Sequence, residues 1–484
     1  MPRSKYRNRR NFMSSVSALN TLLGSTSSSS SIDLSQILQA ATGASSAGIN
    51  ITAAVNAAVT AAQAPETNWQ NQEATLQSQA TALNQLQTDT TNLDNDMQSL
   101  NNLTGPLSAR TVSSSNSTIV SASAASGATV GNHIVVVGSL ASTASWASST
   151  VTNATTPLAA GSFIITDASG NPTTISTGTG TSTLTDVANT INGDNLGVTA
   201  NVITDANGSR LAIVSNTSGS AANFMVTAGT GGLGFSQAVT GANASVTVDG
   251  ITLSSASNTV TGALPGVTLN LLNASPGTNV SLTIAPDTAQ ASTAINQFVT
   301  DYNKAIGDVN TQFTFNGSSE GVLASDSIVR SLQSTLQEAL GYTYTPASGT
   351  TTVSNLTSLG ISVNKNGTLS VNTAALNSKL QNNFNDVQIF FQGSALNGFA
   401  NSLDQQLTSF TSPANGAFTV DLQSISTNYS GLQTNISNFQ TNYIVPLTAQ
   451  LKAQYSQAEI LLQQLPMQMQ QINTELGFNN KSGG

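Results

Sequence analysis

A chain of 484 residues carries only 7% charged side chains, against about 25% in ordinary soluble chains; its 38% hydrophobic content still provides for a core, so neutral Ser, Thr, Asn and Gln stand where charges usually do. The absence of cysteine and the single histidine exclude disulfide frameworks, thiolate metal sites and cysteine nucleophiles, and leave little for acid–base work near neutral pH. Thirteen basic residues against 22 acidic ones give a net charge of −9; five of the basic residues fall within 1–10, so the remainder is an acidic body that repels nucleic acid.

The length suits two to four domains. Residues 1–47, with their basic start and the serine run Ser27–Ser31, are expected to form a disordered leader. Within it Ile32, Leu34, Ile37 and Leu38 are a short apolar stretch with helical spacing. The segment just after the basic residues is too polar and broken for the core of a signal peptide. No run approaches the roughly 18 apolar residues of a membrane span, so membrane insertion is not expected.

From Ile49 an Ala/Val pattern reads as helix up to Pro65, which suits the first turn of a new one. Trp69, Leu76, Leu83, Thr90 and Met97 then recur every seven residues, and Gln72, Gln79, Leu86, Leu93 and Leu100 fill the second heptad position. That is a coiled-coil seam from Leu76 to Leu100. Residues 66–104 would make a rod of roughly 58 Å, stopped by Gly105-Pro106. Asp94 and Asp96, two apart, cannot face each other and read as solvated helix surface.

Residues 111–286 change character. Short β-branched runs separated by turn clusters predict antiparallel β structure. Asp167-Ala-Ser-Gly and Asp205-Ala-Asn-Gly read as Asp-initiated hairpin turns. One helix interrupts, with Thr183 and Asp186 able to cap each other ahead of Leu184, Val187 and Ile191. His133, beside a strand run, reads as structural. Helical pattern resumes near 287, a hairpin turns at Lys365-Asn-Gly, and a second heptad begins near 420 through Ile425, Leu432 and Ile436. Pro446 breaks its phase; Ala458, Leu462, Leu465, Met469 and Ile472 resume it, with Pro466 weakening that stretch. A heptad seam of this kind fits an intramolecular hairpin or an intermolecular bundle. No nucleotide, zinc or hydrolase motif accompanies the elements, so neither an enzyme nor a cofactor site is expected.

The segments GINITAAVNAAVTAAQAPETNWQNQEATLQSQATALNQLQTDTTNL (48–93), ATVGNHIVVVGSLAS (128–142), 183–216, 244–306, GVLASDSIVRSLQ (321–333) and LTSLGISVNKNGTLSVNTAAL (356–376) run in the order of a known family. Together they resemble flagellar hook-associated protein 2, the bacterial filament cap. Asn50 stands where that family usually has Asp, and the last helix diverges in detail.

The resemblance implies an α+β fold. Terminal helices would form a coiled-coil or helical-bundle stalk and leg domain, with an antiparallel β-rich outer region of one or two domains inserted. The expected division is a helical leg at 48–110 and 287–420, a β domain at 111–155 and 240–286, an outer β domain at 156–239, and a C-terminal helix at 421–484 pairing with the N-terminal one. Leu76, Leu83, Leu86, Leu93, Leu100, Ile425, Leu432 and Ile436 would form the seam. Ile32, Leu34, Ile37, Leu38, Leu462, Leu465, Met469 and Ile472 would meet partners.

In function, the resemblance implies a homopentamer-like ring at the distal filament tip that promotes folding and insertion of exported flagellin. Its partners would be flagellin, hook–filament junction proteins, the flagellar type III export apparatus and a dedicated export chaperone, and it would be secreted without a cleaved signal. Adhesion would be a secondary role. The alternatives are a hook–filament junction protein and a β-rich surface adhesin.

Overall fold

The computed structural model describes residues 51–230, 233–315, 317, 320–346, 349–394 and 397–475; the expected leader lies outside them. The chain separates into two compact units. Of the described residues, one gathers those up to Gln85, those within Phe315–Asp326 and those from Pro413 onward; the other holds those within Leu86–Thr314 and Ser327–Ser412.

In the first unit, helix α1 (Ile51–Ala62) precedes α2 (Ala64–Asn101), which begins here and continues as far as Asn101 in the second unit. Pro65 lies in the first turn of α2, where its missing N–H breaks no bond. The helix ends where Gly105 turns back: a Cβ there would lie 2.4 Å from the Ser99 carbonyl oxygen, so only glycine fits.

The second unit carries the β structure. In chain order its strands are β1 (Arg110–Ser114), β2 (Val120–Ala124), β3 (Gly131–Ser139), β4 (Thr143–Ser148), β5 (Ser162–Thr166), β6 (Pro172–Ser176), β7 (Val198–Asp205), β8 (Gly208–Ser218), β9 (Met225–Ala228), β10 (Phe235–Val239), β11 (Ala244–Val248), β12 (Ile251–Ser255), β13 (Thr259–Leu264), β14 (Val267–Leu271) and β15 (Val280–Pro286), with helix α3 (Leu184–Gly193) between β6 and β7. All pair antiparallel.

They form two cores. Sheet β1-β15-β3-β11-β12 and sheet β13-β14-β2 share Val120, Val135, Val137, Val246, Leu269 and Leu282. Sheet β10-β4-β8-β7, sheet β6-β5-β9 and α3 share Phe163, Ile165, Leu184, Ile191, Leu211 and Ile213. Alternation along the strands, as in β15 with Val280, Leu282 and Ile284 inward, explains why these short runs bury one face. The β cores divide where Ser142 bridges Ala242, not at 155 and 239: β4 joins β8 and β10 rather than the first core, because Ala144 and Trp146 pack with the second cluster.

Local signals act as their chemistry dictates. Asp167 Oδ1 accepts from the N–H groups of Ser169 (2.8 Å) and Asn171 (2.9 Å), and Asp205 Oδ1 from Asn207 (2.7 Å). Thr183 and Asp186 make a reciprocal capping box at α3. His133 Nδ1 lies 2.7 Å from Asp249 Oδ2, and that hydrogen bond holds the Asp249 carboxyl below the usual carboxylate range.

The helical part of the second unit continues with α4 (Thr288–Phe313), α5 (Ser327–Ala339), the hairpin β16 (Ile361–Val363) and β17 (Leu369–Val371), α6 (Thr373–Asn382), α7 (Phe384–Gln392) and α8 (Phe399–Thr411). In the first unit α9 (Ala417–Phe439) runs through one π-turn, Gln440–Ile444, into α10 (Val445–Glu475). The widened turn sits where Pro446 offers no N–H and its ring would crowd the carbonyl four residues back. The expected break is therefore a local bulge, and Pro466 lies inside continuous helix.

Neutral amides take over backbone pairing in four places. Asn192 grips both the N–H and the carbonyl of Ala200, Asn223 those of Gly241, Asn258 those of Ala141, and Asn303 those of Leu369, at 2.6–3.0 Å. At Ala200 and Leu369, which lie in β7 and β17, the side chain stands in for a neighbouring strand. Asn303→Ala should leave the N–H and carbonyl of Leu369, a residue only 3% exposed, without their partner, and cost about 1–3 kcal/mol. Chemical denaturation checks this; an unchanged midpoint would mean that water replaces the amide.

Candidate assembly surfaces

Within the first unit, residues of α2 and α9 line common grooves. Leu76 shares one groove of about 410 Å3 with Ala80, Leu422, Ile425 and Tyr429, and another of about 560 Å3 with Gln72, Thr427, Gly431 and Leu432. Leu83 is fully buried and Ile425 nearly so, whereas Leu432 and Ile436 are half-buried. Further toward the start of α2, Trp69 meets Phe439 edge-on at 5.4 Å, and Phe439 stacks on Tyr443 at 5.1 Å. Glu66, 7% exposed, accepts hydrogen bonds from the amides of Gln63, Gln70 and Gln440. Three neutral donors thus hold a buried carboxylate, and one of them comes from the π-turn. The heptads pointed to Trp69 but not to this amide cluster, because Gln440 reaches Glu66 from far along the sequence.

In the second unit Leu86, Leu93, Met97 and Leu100 are all buried. The predicted seam residues are divided between the units: Leu76 and Leu83 fall in one with Ile425, Leu432 and Ile436, while Leu86, Leu93 and Leu100 fall in the other. Asp94 and Asp96 correct the sequence reading. They do not face each other, but neither is a solvated surface group. Asp94 is 5% exposed; it accepts from Thr411 at 2.9 Å and has Asp404 of α8 within hydrogen-bond reach. Asp96 meets Asp301 of α4. Burial is the first cause and the facing carboxylate a further one of an upward shift, to about 6 for Asp94 and about 7 for Asp96.

A cluster of rings that no period announced fills the same unit: Phe399 lies among Phe298, Tyr342, Phe390 and Phe391.

Of the expected partner contacts, Ile32, Leu34, Ile37 and Leu38 lie outside the described residues, as do the side chains of Leu462, Leu465 and Met469. Ile472 is 52% exposed on α10. Ile460, Leu461 and Met467 are exposed on the same helix, so α10 presents more apolar surface than its heptad positions named. Helix α1 packs against α10 in this unit. Among the described residues no group of three or more His, Cys, Asp or Glu is placed to hold a metal ion, and no helix is long and apolar enough to cross a membrane.

A pair of β cores inserted between helical segments, with apolar side chains exposed along the last helix, defines an α+β architecture. Residues 47–144 match the family described as flagellar hook-associated protein 2 N-terminus, and residues 241–467 the C-terminus of the same family. The chain is 29% identical over 336 residues to the B-type flagellar hook-associated protein 2 of Pseudomonas aeruginosa, covering 63% of this chain and 70% of the relative. It is 26% identical over 361 residues to flagellar hook-associated protein 2 of Aeromonas caviae, covering 70% and 76%. The crystal structure of the D1-D2-D3 domains of the flagellar cap protein from Escherichia coli aligns over 71% of this chain and 99% of its own, with a TM-score of 0.58 at 26% identity. This chain belongs to the flagellar hook-associated protein 2 family, the filament caps of the bacterial flagellum.

Proposed function

We propose that this chain forms a homo-oligomeric, pentamer-like ring at the distal tip of the flagellar filament and promotes the folding and insertion of exported flagellin. The observation that carries this reading is the apolar surface of α10, where Ile460, Leu461, Met467 and Ile472 are each more than half exposed. Large apolar side chains left exposed along one helix of a charge-poor protein mark a place for another chain. The expected contacts Leu462, Leu465 and Met469 fall in the same stretch of sequence, and family membership supports a cap. The seam Leu76, Leu83, Ile425, Leu432 and Ile436 would hold the stalk; Leu86, Leu93 and Leu100 would hold the leg. The chain would leave through the type III export apparatus with a dedicated chaperone and without a cleaved signal, meet hook–filament junction proteins, and act without enzymatic chemistry. Adhesion through the hydroxyl-covered β region is compatible with the same position.

Immunogold microscopy on native flagella, with an antibody against residues 111–286, tests the reading. Gold at the distal tip is the expected result; gold at the hook-proximal end would make this a junction protein, and gold on the cell body alone an adhesin. Deleting residues 458–484 should leave the β cores folded but the ring unstable. An intact ring by mass photometry would remove α10 from the assembly.

A further inference from the structure

We propose that the carboxyl–carboxylate contacts between α2 and its neighbours form a proton-operated clamp, docked when one proton is shared in each pair and loosened as those protons leave. The clamp does not depend on the cap reading.

Three aspartates on α2 each face an acid from another helix. Asp89 meets Asp308 of α4, Asp94 meets Asp404 of α8, and Asp96 meets Asp301 of α4. A fourth pair, Asp326 with Asp421 of α9, lies in the other unit. As two carboxylates, such a pair has no donor between its oxygens, and the burial leaves a trace of this. Asp94 Oδ1 and Asp96 Oδ2 are buried and find no hydrogen-bond donor among the described residues, and Asp421 Oδ2 is in the same position. An orphaned acceptor on a residue as buried as Asp94 is costly. One proton placed between the two acids makes the donor that is missing and removes one of two like charges at close range.

The other groups facing these acids are few. Thr411 donates to Asp94 and Gln297 to Asp301. Lys304 of α4 pairs with the buried Asp89, so that pair has a cation to share and its proton is the least needed. Among the described residues the Asp94 pair has no such cation, and Lys304 forms its ion pair with Asp89 and none with Asp96 or Asp301, its charge reaching Asp301 only through space. They are the working elements of the clamp.

The direction comes from linkage. Burial, with the facing acid as a further cause, lifts Asp94 and Asp308 to about 6 and Asp96 to about 7, whereas the unfolded chain titrates near 3.9. The folded state then holds more protons between those values. Stability from the shared protons is fully present below about pH 4 and is lost as pH rises through about 6–7.

Thermal melts of the full chain between about pH 5 and pH 8 test the clamp. Tm should fall by several degrees across that range in the parent. Asp96→Asn and Asp94→Asn supply an amide donor that needs no proton, so both variants should lose much of the fall and melt above the parent at the higher pH. Parallel curves for parent and variants would overturn the proposal. Should a variant not fold, hydrogen exchange of residues 86–101 in the parent, corrected for the intrinsic rate, decides alone. Protection should drop at the higher pH, and equal protection at both would overturn the clamp.

Discussion

The Leu93→Asp variant should lose the helical fold around α2 in the second unit. Leu93 is fully buried, and so are Leu86, Met97 and Leu100 on the same helix. A carboxylate placed there has no partner and costs several kcal/mol, a large share of the 5–15 kcal/mol that ordinarily holds a domain together. Far-ultraviolet circular dichroism should report reduced helix and a broadened or absent transition. Leu103→Asp is the control. Leu103 is 63% exposed, so the same change there should stay within about 0.5 kcal/mol. Equal melts for both variants would mean that burial along α2 does not support the unit.

Phe399→Ala should produce the next largest loss. Phe399 stacks on Phe390 at 5.5 Å and stands edge-on to Phe298, Tyr342 and Phe391 at 5.6, 5.7 and 5.9 Å. Removing the ring takes away buried area and opens a cavity among four aromatic neighbours, at about 3–5 kcal/mol. Phe399→Leu keeps most of the volume and should lose less. Denaturant unfolding followed through intrinsic fluorescence separates the two; near-equal midpoints would show that the cluster closes over the gap.

The elements that could be read in advance are those whose cause is local. The helical run of α2, the Asp-led hairpins at Asp167 and Asp205, and the Thr183 capping box depend on residues at most a few positions apart, and each takes the expected form. The membership of β4 was not legible. Thr143–Ser148 holds a single β-branched residue, and its sheet is decided by β8 and β10, which begin more than 60 residues after it does. Asp94 and Asp96 failed for a related reason: spacing says which side of a helix a residue takes, not which helix comes to meet that side. The aromatic cluster draws on α4, α7 and α8 together with Tyr342, so no single window of sequence contains it. Of the candidate assembly surface, the heptads named Leu76, which lines one groove with Ile425 and another with Leu432, while the exposed pair Ile460 and Leu461 sat outside the pattern.

The asparagine grips at 192, 223, 258 and 303 have a bearing on how the protein ages. Each relies on an amide that accepts through one atom and donates through the other. Hydrolysis of such an amide to aspartate, a slow change to which asparagine is prone, keeps the size of the side chain but abolishes the donor and sets a negative charge against a carbonyl oxygen. At Asn303 that charge would face the backbone of buried Leu369. A chain that replaces ionic ties with neutral ones escapes screening by salt. What wears it out is time at elevated temperature, one amide at a time.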